Sequence, residues 1–389
     1  MIKRELTNRL LYFATKFPVV SITGPRQSGK TTLVKQAFPN YKYFTLEDID
    51  TRNIAIDDPR GFLETECDGM IIDEIPRVPE LFSYIQSIVD KTNTSGKYII
   101  TGSQNFLLIQ NISQSLAGRI AILKLMPFSL EELKEGNILS ENFEEIIFKG
   151  AYPRIYDKNI PAKDFYPFYI QTYVERDVKL IKNISNQNTF IRFVKMCAGR
   201  TGQLLNITDL ANSCGITQIT VKSWLSILEA SFVIHFLQPH YKNFNKRLVK
   251  MPKLYFNDTG LACSLLGIKQ KEQLSTHFLY GALFENFIIN EFYKHMYNNA
   301  INTELFFWRN KLGKEIDLII DNNDEIVPIE IKAGKTFNLD YFKNLKYLNN
   351  ISGNKSANTF VIYGGKENHK TKDGNIFSWN NFNKIFELM

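Results

Sequence analysis

The stretch GPRQSGKTT, residues 24–32, is the feature that most constrains how this chain can fold. It fits the pattern G-x-x-x-x-G-K-[ST], with the apolar run FPVVSIT before it and LVKQAF after it. Glycines at 24 and 29 permit backbone angles that turn successive N–H groups towards a polyphosphate, and a following helix directs its positive end at the same anion. The sequence therefore predicts a strand, a phosphate-cradling loop and a helix in direct succession.

Specific roles follow for the side chains near this loop. We expect Lys30 to reach the terminal phosphates and the Thr31 hydroxyl to coordinate Mg²⁺. The apolar segment MIIDEI, residues 70–75, ends in two acids. Asp73 is a candidate Mg²⁺ ligand, and Glu74 would position or activate an attacking water, which favours hydrolysis over mere binding. The complete predicted nucleotide-binding set is Gly24, Pro25, Arg26, Gln27, Ser28, Gly29, Lys30, Thr31, Thr32, Asp73 and Ser103.

Two further segments supply candidates for sensing or stabilising the terminal phosphate. The segment IITGSQN offers Ser103, Gln104 and Asn105, of which Ser103 is favoured, although polar residues also cap loops at such places. Arg119, in SLAGRI, is a candidate arginine finger, either in its own site or in that of a neighbouring subunit. The second case implies a homo-oligomer, and the alternative is a surface arginine that packs at the start of a strand.

The order of apolar and helical segments predicts an α/β fold of several domains. Strand-like and helix-like segments alternate up to about residue 130, which is typical of a parallel sheet. A helical stretch, a helix–turn–helix with two strands, and a mixed α/β segment follow. The predicted domains are a P-loop domain (1–135), a helical linker (136–195), a winged helix-turn-helix (196–260) and a C-terminal domain (261–389).

Composition narrows the function classes. No run approaches 18 apolar residues, so we expect no membrane span and a cytoplasmic protein. The four cysteines contain no C-x-x-C pair, so neither zinc nor a disulfide framework is indicated. A net charge of +7 permits a nucleic-acid partner without requiring one.

The chain resembles a known family along most of its length. GPRQSGKTTL, IIDEI, YIITGSQNFLL and LAGRIAILKLMPFSLEEL are similar to the ATPase domain of a prokaryotic, archaeal-ATPase-like AAA+ family, whose C-terminal half is a domain of unknown function. KGAYPRIY and YIQTYVERDVKLI also resemble signatures of that family. The resemblance implies ATP as the nucleotide, and a sheet with a further strand between those that carry Lys30 and Asp73. It implies no substrate.

The middle of the chain resembles a winged helix. The second helix, TQITVKSWLSILEA, would bury Val221, Trp224, Leu225 and Leu228 and expose Thr217, Gln218, Thr220 and Lys222 to a major groove. The wing would carry the basic residues Lys242, Lys246, Arg247, Lys250 and Lys253. Such residues can grip DNA phosphates, but the segment could equally dock a protein or be a solvated hairpin.

The C-terminal segment contains acids within apolar strands. Asp317 lies in one predicted strand, and Glu330 and Lys332 lie two residues apart in the next. Two converging carboxylates beside a lysine suit Mg²⁺ and an activated water. The pattern D-x12-E-x-K resembles the PD-(D/E)xK nuclease superfamily, in which Glu285 would match the acid of the preceding helix. That resemblance implies Glu285, Asp317 and Glu330 as metal ligands and Asp317, Glu330 and Lys332 as catalytic residues. The alternative is a salt-bridged triad with a structural role.

Two hypotheses about function remain open on the sequence. The first is an ATP-hydrolysing protein that acts on DNA, with a metal-dependent nuclease in its last domain. The second is a nucleotide-switched regulatory or scaffold ATPase, whose C-terminal domain is catalytically silent and binds protein partners.

Overall fold

The first sheet is parallel and forms the N-terminal domain. The computed structural model describes residues 2–92, 94–103, 116–177, 187–240, 250–322, 325–354 and 358–388. Within them the strands of this sheet are β1 Val19–Thr23, β2 Lys42–Thr45, β3 Met70–Asp73, β4 Tyr98–Gly102 and β5 Ile120–Lys124. Their order across the sheet is β2-β3-β4-β1-β5. The predicted extra strand is confirmed, because β4 lies between β1, which leads to Lys30, and β3, which ends at Asp73.

The central strands of this sheet are apolar because helices cover both faces. Every residue of β1, β3 and β4 is buried, which explains their nearly continuous apolar sequences. The helices of this domain are α1 Thr7–Ala14, α2 Lys30–Ala37, α3 Ile49–Asp57, α4 Pro59–Leu63 and α5 Leu81–Thr92. The α/β class and the parallel sheet are therefore confirmed.

The middle of the chain is helical, as its sequence predicts. Its helices are α6 Leu130–Glu135, α7 Phe143–Lys149, α8 Pro153–Asp157, α9 Ala162–Tyr169, α10 Gln187–Ala198, α11 Ile207–Cys214 and α12 Gln218–Ala230, and α9 continues as a π-helix over Ile170–Asp177. Gly215 ends α11 in a left-handed conformation (φ 68°), and Thr217 caps α12. The predicted buried face of α12 is confirmed at Val221, Trp224, Leu225 and Leu228.

The second sheet joins the two strands that follow α12 to the C-terminal segment. Its strands are β6 Ile234–Pro239, β7 Lys253–Phe256, β8 Leu305–Arg309, β9 Glu315–Asp321, β10 Ile326–Lys332, β11 Phe360–Tyr363, β12 His369–Thr371 and β13 Gly374–Ser378. Their order is β12-β13-β11-β10-β9-β8-β6-β7. The accompanying helices are α13 Thr259–Leu265, α14 Tyr280–Asn299, α15 Lys343–Ser352 and α16 Lys384–Leu388. Because β6 pairs with β8, the strands of the helix–turn–helix region extend the C-terminal sheet.

One hydrophobic core connects these later segments. A single cluster of buried residues extends from Leu130 to Ile385 and includes helices of the middle segment as well as strands of the second sheet. We call the described residues 143–388 the C-terminal body. The domain boundaries near 135, 195 and 260 stay predictions. None of the described helices combines the length and apolar character that a membrane span requires.

Candidate functional site

The phosphate-binding pattern forms a tight loop between β1 and α2. Gly24 and Gly29 have φ angles of 150° and 94°, and Gln27 between them has a φ of 62°. A side chain at position 24 would place its Cβ 2.1 Å from the carbonyl oxygen of Leu125, so only glycine fits there. The buried Ser28 hydroxyl has no hydrogen-bond partner among the described residues. Loop, glycines and helix start are therefore arranged as the sequence predicts.

Lys30 lies folded against this loop. Its ammonium nitrogen donates to the carbonyl oxygens of Gly24 and Pro25, each at 2.9 Å. Burial lowers the pKa of Lys30 to about 8, although Glu74 and Asp73 act in the opposite direction. The ammonium is thus held beside the loop, where it can exchange loop carbonyls for phosphate oxygens.

Asp73 accepts hydrogen bonds from hydroxyl groups on three neighbouring elements. Its carboxylate accepts hydrogen bonds from Thr31 at 2.9 Å, from Tyr43 at 2.7 Å, and from Thr101. The predicted Mg²⁺ ligands Thr31 and Asp73 are therefore side by side, as a shared ion requires. Tyr43 and Thr101 were not predicted. Thr101 had a sequence signal, a hydroxyl within the apolar strand YIITG, whereas Tyr43 had none.

Glu74 follows Asp73 in an unusual backbone conformation. Its φ of 55° lies in the left-handed region, which costs a non-glycine residue about 1–2 kcal/mol. Its backbone N–H donates to the Thr101 hydroxyl at 3.3 Å, and its carboxylate accepts from the backbone N–H and hydroxyl of Ser103 at 3.4 and 3.3 Å. Ser103 thus holds the side chain of Glu74.

Arg119 lies away from these residues. It precedes β5, whose opposite end at Lys124 pairs with Thr23 beside the loop. Five strand residues separate the two edges, which corresponds to roughly 16 Å. The guanidinium donates to Asp90 at 3.0 Å and to the Ala117 carbonyl at 3.0 Å. Within one subunit Arg119 is therefore not brought to Lys30. Gln104 and Asn105 lie outside the described residues.

A second cluster of charges lies in the C-terminal body, around Lys253. This lysine is 2% exposed, and its ammonium contacts Glu285 at 2.8 Å and Glu315 at 2.5 Å. Burial alone would lower the pKa of Lys253, but Glu285, Asp317 and Glu315 raise it well above its ordinary value. The prediction that Lys253 lies on an exposed basic wing was wrong, because Lys253 lies in β7 and its side chain is buried. Lys242, Lys246 and Arg247 lie outside the described residues.

The acids of the predicted nuclease-like site lie close together, but two lysines already form ion pairs with them. The ammonium of Lys332 contacts Glu330 at 2.6 Å and Asp317 at 3.2 Å. Asp317 also accepts the backbone N–H of Ile331 at 2.8 Å. Glu285 is bonded to Lys253 and to the Tyr255 hydroxyl. Over the part of the chain that the structure describes, no group of three or more histidine, cysteine, aspartate or glutamate residues is placed to hold a metal ion.

Family models divide the chain into three parts. A model described as an AAA domain matches residues 16–134. Two domains of unknown function, DUF8612 and DUF4143, match residues 140–272 and 280–382. The N-terminal domain is therefore an AAA-type P-loop domain, as the sequence resemblance implied.

Relatives that match most of the chain occur in bacteria and archaea. The uncharacterized proteins Mb2031c of Mycobacterium bovis and Rv2008c of Mycobacterium tuberculosis are 30% identical over 339 residues, which cover 86% of this chain and 74% of each relative. The uncharacterized protein MJ1544 of Methanocaldococcus jannaschii is 24% identical over 349 residues, or 81% of this chain and 75% of the relative. Among solved structures, the Walker-type ATPase PABY2304 of Pyrococcus abyssi covers 67% of this chain and 94% of its own, at 13% identity and a TM-score of 0.46.

Proposed function

The chain belongs to the same family as the mycobacterial proteins Mb2031c and Rv2008c, and from that premise we propose that it is an ATP-hydrolysing AAA protein. We further propose that its C-terminal body responds to the bound nucleotide and does not cut nucleic acid. This is the second of the two hypotheses that the sequence left open.

The observation that carries the ATPase proposal is the contact between Thr31 and Asp73 at 2.9 Å, directly beside Glu74. Thr31 and Asp73 would hold Mg²⁺, which when bound supplies positive charge to phosphate oxygens. Lys30 would release the loop carbonyls and bind the terminal phosphates. Glu74 would orient the attacking water, while Ser103 fixes its carboxylate.

Arg119 fits this chemistry only as a residue supplied by a neighbouring subunit. Its distance from the loop excludes a role in its own site, and its side chain lies on the surface in an ion pair with Asp90. An exposed pair of this kind is weak because water and salt screen it, so a neighbouring phosphate could draw the guanidinium away. We therefore propose that any finger role of Arg119 requires a homo-oligomer.

The proposal that the C-terminal body is silent rests on Lys253. Its ammonium bonds Glu285, one of the three acids with which a nuclease would hold a divalent cation, and also bonds Glu315. Lys332 in turn pairs with Asp317 and Glu330, so the acids that would bind Mg²⁺ already have cationic partners. Displacing a buried, paired lysine would leave carboxylates uncompensated, at a cost of several kcal/mol.

Two assays test the proposal. Phosphate release from ATP should fall at least about 100-fold in Glu74→Gln, while the affinity for nucleotide stays close to that of the wild type. Supercoiled plasmid with Mg²⁺ or Mn²⁺ should stay intact with the wild type and with Asp317→Ala. A wild type that binds ATP without hydrolysing it would refute the first part. Nicking that disappears in Asp317→Ala would refute the second part and establish a nuclease.

DNA binding is a second candidate function, favoured by the exposed start of α12. Ile219 and Lys222 point into solvent there, next to the cap formed by Thr217 and Thr220. A basic and an apolar side chain at the start of such a helix could contact phosphate and a thymine methyl. If so, Lys222→Ala should weaken binding to duplex DNA and reduce its salt dependence, whereas Lys370→Ala on β12 should not. Equal affinity of both variants would remove this candidate.

A further inference from the structure

Arg4 is a buried arginine directly beneath the phosphate-binding loop. It is 6% exposed, and its two terminal nitrogens donate to the carbonyl oxygens of Ser28 and Met126, each at 2.6 Å. One of these nitrogens lies 3.3 Å from where a Cβ on Gly29 would be. Its guanidinium carbon also lies 4.9 Å from the centre of the Phe128 ring. Arg4 therefore ties the loop to the segment that follows β5.

The third nitrogen of Arg4 connects the phosphate-binding loop to α6. Its Nε donates to Glu132 at 2.9 Å, and this glutamate is fully buried at the start of α6. Glu132 also accepts the backbone N–H groups of Glu5 and Ser129, at 2.9 and 3.0 Å. The loop and the first turn of α6 are thus held by one side chain.

The same turn of α6 is bonded to the C-terminal body. The backbone N–H of Leu130 donates to Glu291 at 2.7 Å, and Glu291 is 2% exposed on the long helix α14. One turn further along, Lys294 donates to Glu291 at 2.7 Å and to the Phe128 carbonyl at 2.8 Å. Asn298 donates to Glu5 at 2.8 Å. α14 therefore meets the nucleotide domain through consecutive buried polar contacts.

We propose that Arg4, Glu132 and Glu291 form the path by which the nucleotide state of the loop acts on α14 and hence on the C-terminal body. Arg4 is a positioning residue, because it touches the Ser28 carbonyl and not the reacting atoms. When the loop rearranges around phosphates, the Ser28 carbonyl shifts. The guanidinium of Arg4 is a rigid plane that bonds both this carbonyl and Glu132, so Glu132 must shift with it. Packed, buried interfaces switch between discrete arrangements and do not deform gradually, and we assign two such arrangements to this contact. The proposal rests on the proposed function, since it assumes that the loop holds ATP.

Tryptophan fluorescence can read this coupling directly. Trp224, Trp308 and Trp379 are the tryptophans of the chain, and all lie in the C-terminal body. The analogue would bind in the N-terminal domain, whereas the tryptophans report unfolding of the C-terminal body. A saturating non-hydrolysable ATP analogue should therefore raise the urea midpoint of tryptophan fluorescence only if the two domains are energetically coupled. In Glu291→Gln we expect at least half of that shift to be lost, with analogue affinity within twofold of the wild type. The matched control Glu272→Gln, on the surface, should keep the whole shift.

Arg4→Lys supplies the second variant. It keeps the charge but loses the arginine fork, so we expect analogue affinity to fall about tenfold and the remaining shift to shrink. If Glu291→Gln does not fold, Asn298→Ala takes its place with the same expectation. A full shift in both Glu291→Gln and Asn298→Ala, or no shift in a wild type that binds the analogue, would overturn the path. Failure of the proposed function would differ, because the wild type would then release no phosphate from ATP, whether or not the analogue binds and shifts the midpoint.

Discussion

Replacing Lys253 with methionine should destabilise the C-terminal body by about 3–5 kcal/mol. Methionine has a similar length and fills the same space, but it lacks the ammonium that contacts Glu285 at 2.8 Å and Glu315 at 2.5 Å. Each hydrogen bond to a charged group contributes roughly 1.5–3 kcal/mol, so the two together account for a loss of this size. Asp317 lies close enough to add repulsion, since it also raises the pKa of Lys253.

Removing one of the freed acids should restore part of the loss. The double variant Lys253→Met with Glu285→Gln leaves one fewer uncompensated charge, and we expect it to regain at least about 2 kcal/mol. Urea unfolding followed by tryptophan fluorescence measures this, because the tryptophans lie in the C-terminal body and are buried. Lys370→Met, an exposed lysine in the same sheet, is the matched control and should change stability by less than about 0.5 kcal/mol.

The same variant tests whether Lys253 stands in for a divalent cation. In Lys253→Met, millimolar Mg²⁺ or Mn²⁺ should raise the urea midpoint, because a cation can then take the place of the ammonium between the carboxylates of Glu285 and Glu315. The wild-type midpoint should not respond. A loss of under 1 kcal/mol in Lys253→Met, or a double variant no more stable than the single one, would refute the reasoning. A metal-insensitive Lys253→Met would refute the cation analogy.

Three other predictions concern the nucleotide site and pH. Gly24→Ala should weaken ATP binding at least about tenfold in a fluorescent-nucleotide titration, because its Cβ would lie 2.1 Å from the Leu125 carbonyl oxygen; unchanged affinity would mean that the loop tolerates a shift. The pKa of Lys30, lowered by burial to about 8, predicts that the Kd for ATP rises about tenfold per pH unit above that value, since binding then requires proton uptake; a flat profile to pH 9.5 would contradict it. Burial lowers the pKa of His235 to about 4 from its ordinary 6.5, so the neutral ring's contribution is complete above pH 6.5 and is lost as pH falls towards 4, by up to about 3 kcal/mol. Urea midpoints between pH 7 and 4 should accordingly fall less steeply in His235→Gln than in the wild type. The control is His369→Gln, which replaces a half-buried histidine, and parallel slopes for all three proteins would refute the assignment.

The nucleotide loop could be predicted because its requirements are local. A strand, two glycines, a lysine and a helix are consecutive in the chain, and Asp73 ends a second strand with the same apolar character. Arg119 could have been placed by the same reasoning. Arg119 precedes β5, whereas the loop follows β1. Because β1 and β5 are parallel, the two positions lie at opposite ends of the strands.

The partners of Asp73 and Lys253 could not be predicted in the same way. Tyr43 reaches Asp73 only because β2 lies beside β3 in the sheet. Lys253 follows a run of basic residues and reads as part of a solvated hairpin. Its burial depends on β6 joining β8, a pairing between segments far apart in the chain. Arg4 likewise gave no signal, because its carbonyl partners have no side-chain identity in the sequence.

The Lys253 cluster and the Arg4 path both include residues of α14. This shared helix determines which contacts would move when nucleotide binds. Glu285, near the start of the helix, is fixed by Lys253 and Tyr255 on β7, and Glu291, further along, faces the nucleotide domain. A buried ionic cluster contributes little net stability compared with apolar packing, but it resists displacement because short, directed hydrogen bonds must break. α14 therefore cannot slide over its own sheet without breaking the bond between Glu285 and Lys253. A displacement of Glu291 should instead move α14 and the second sheet as one body. The structural change on ATP binding should then appear at the contacts of α6 with α14 and not between β9 and β10.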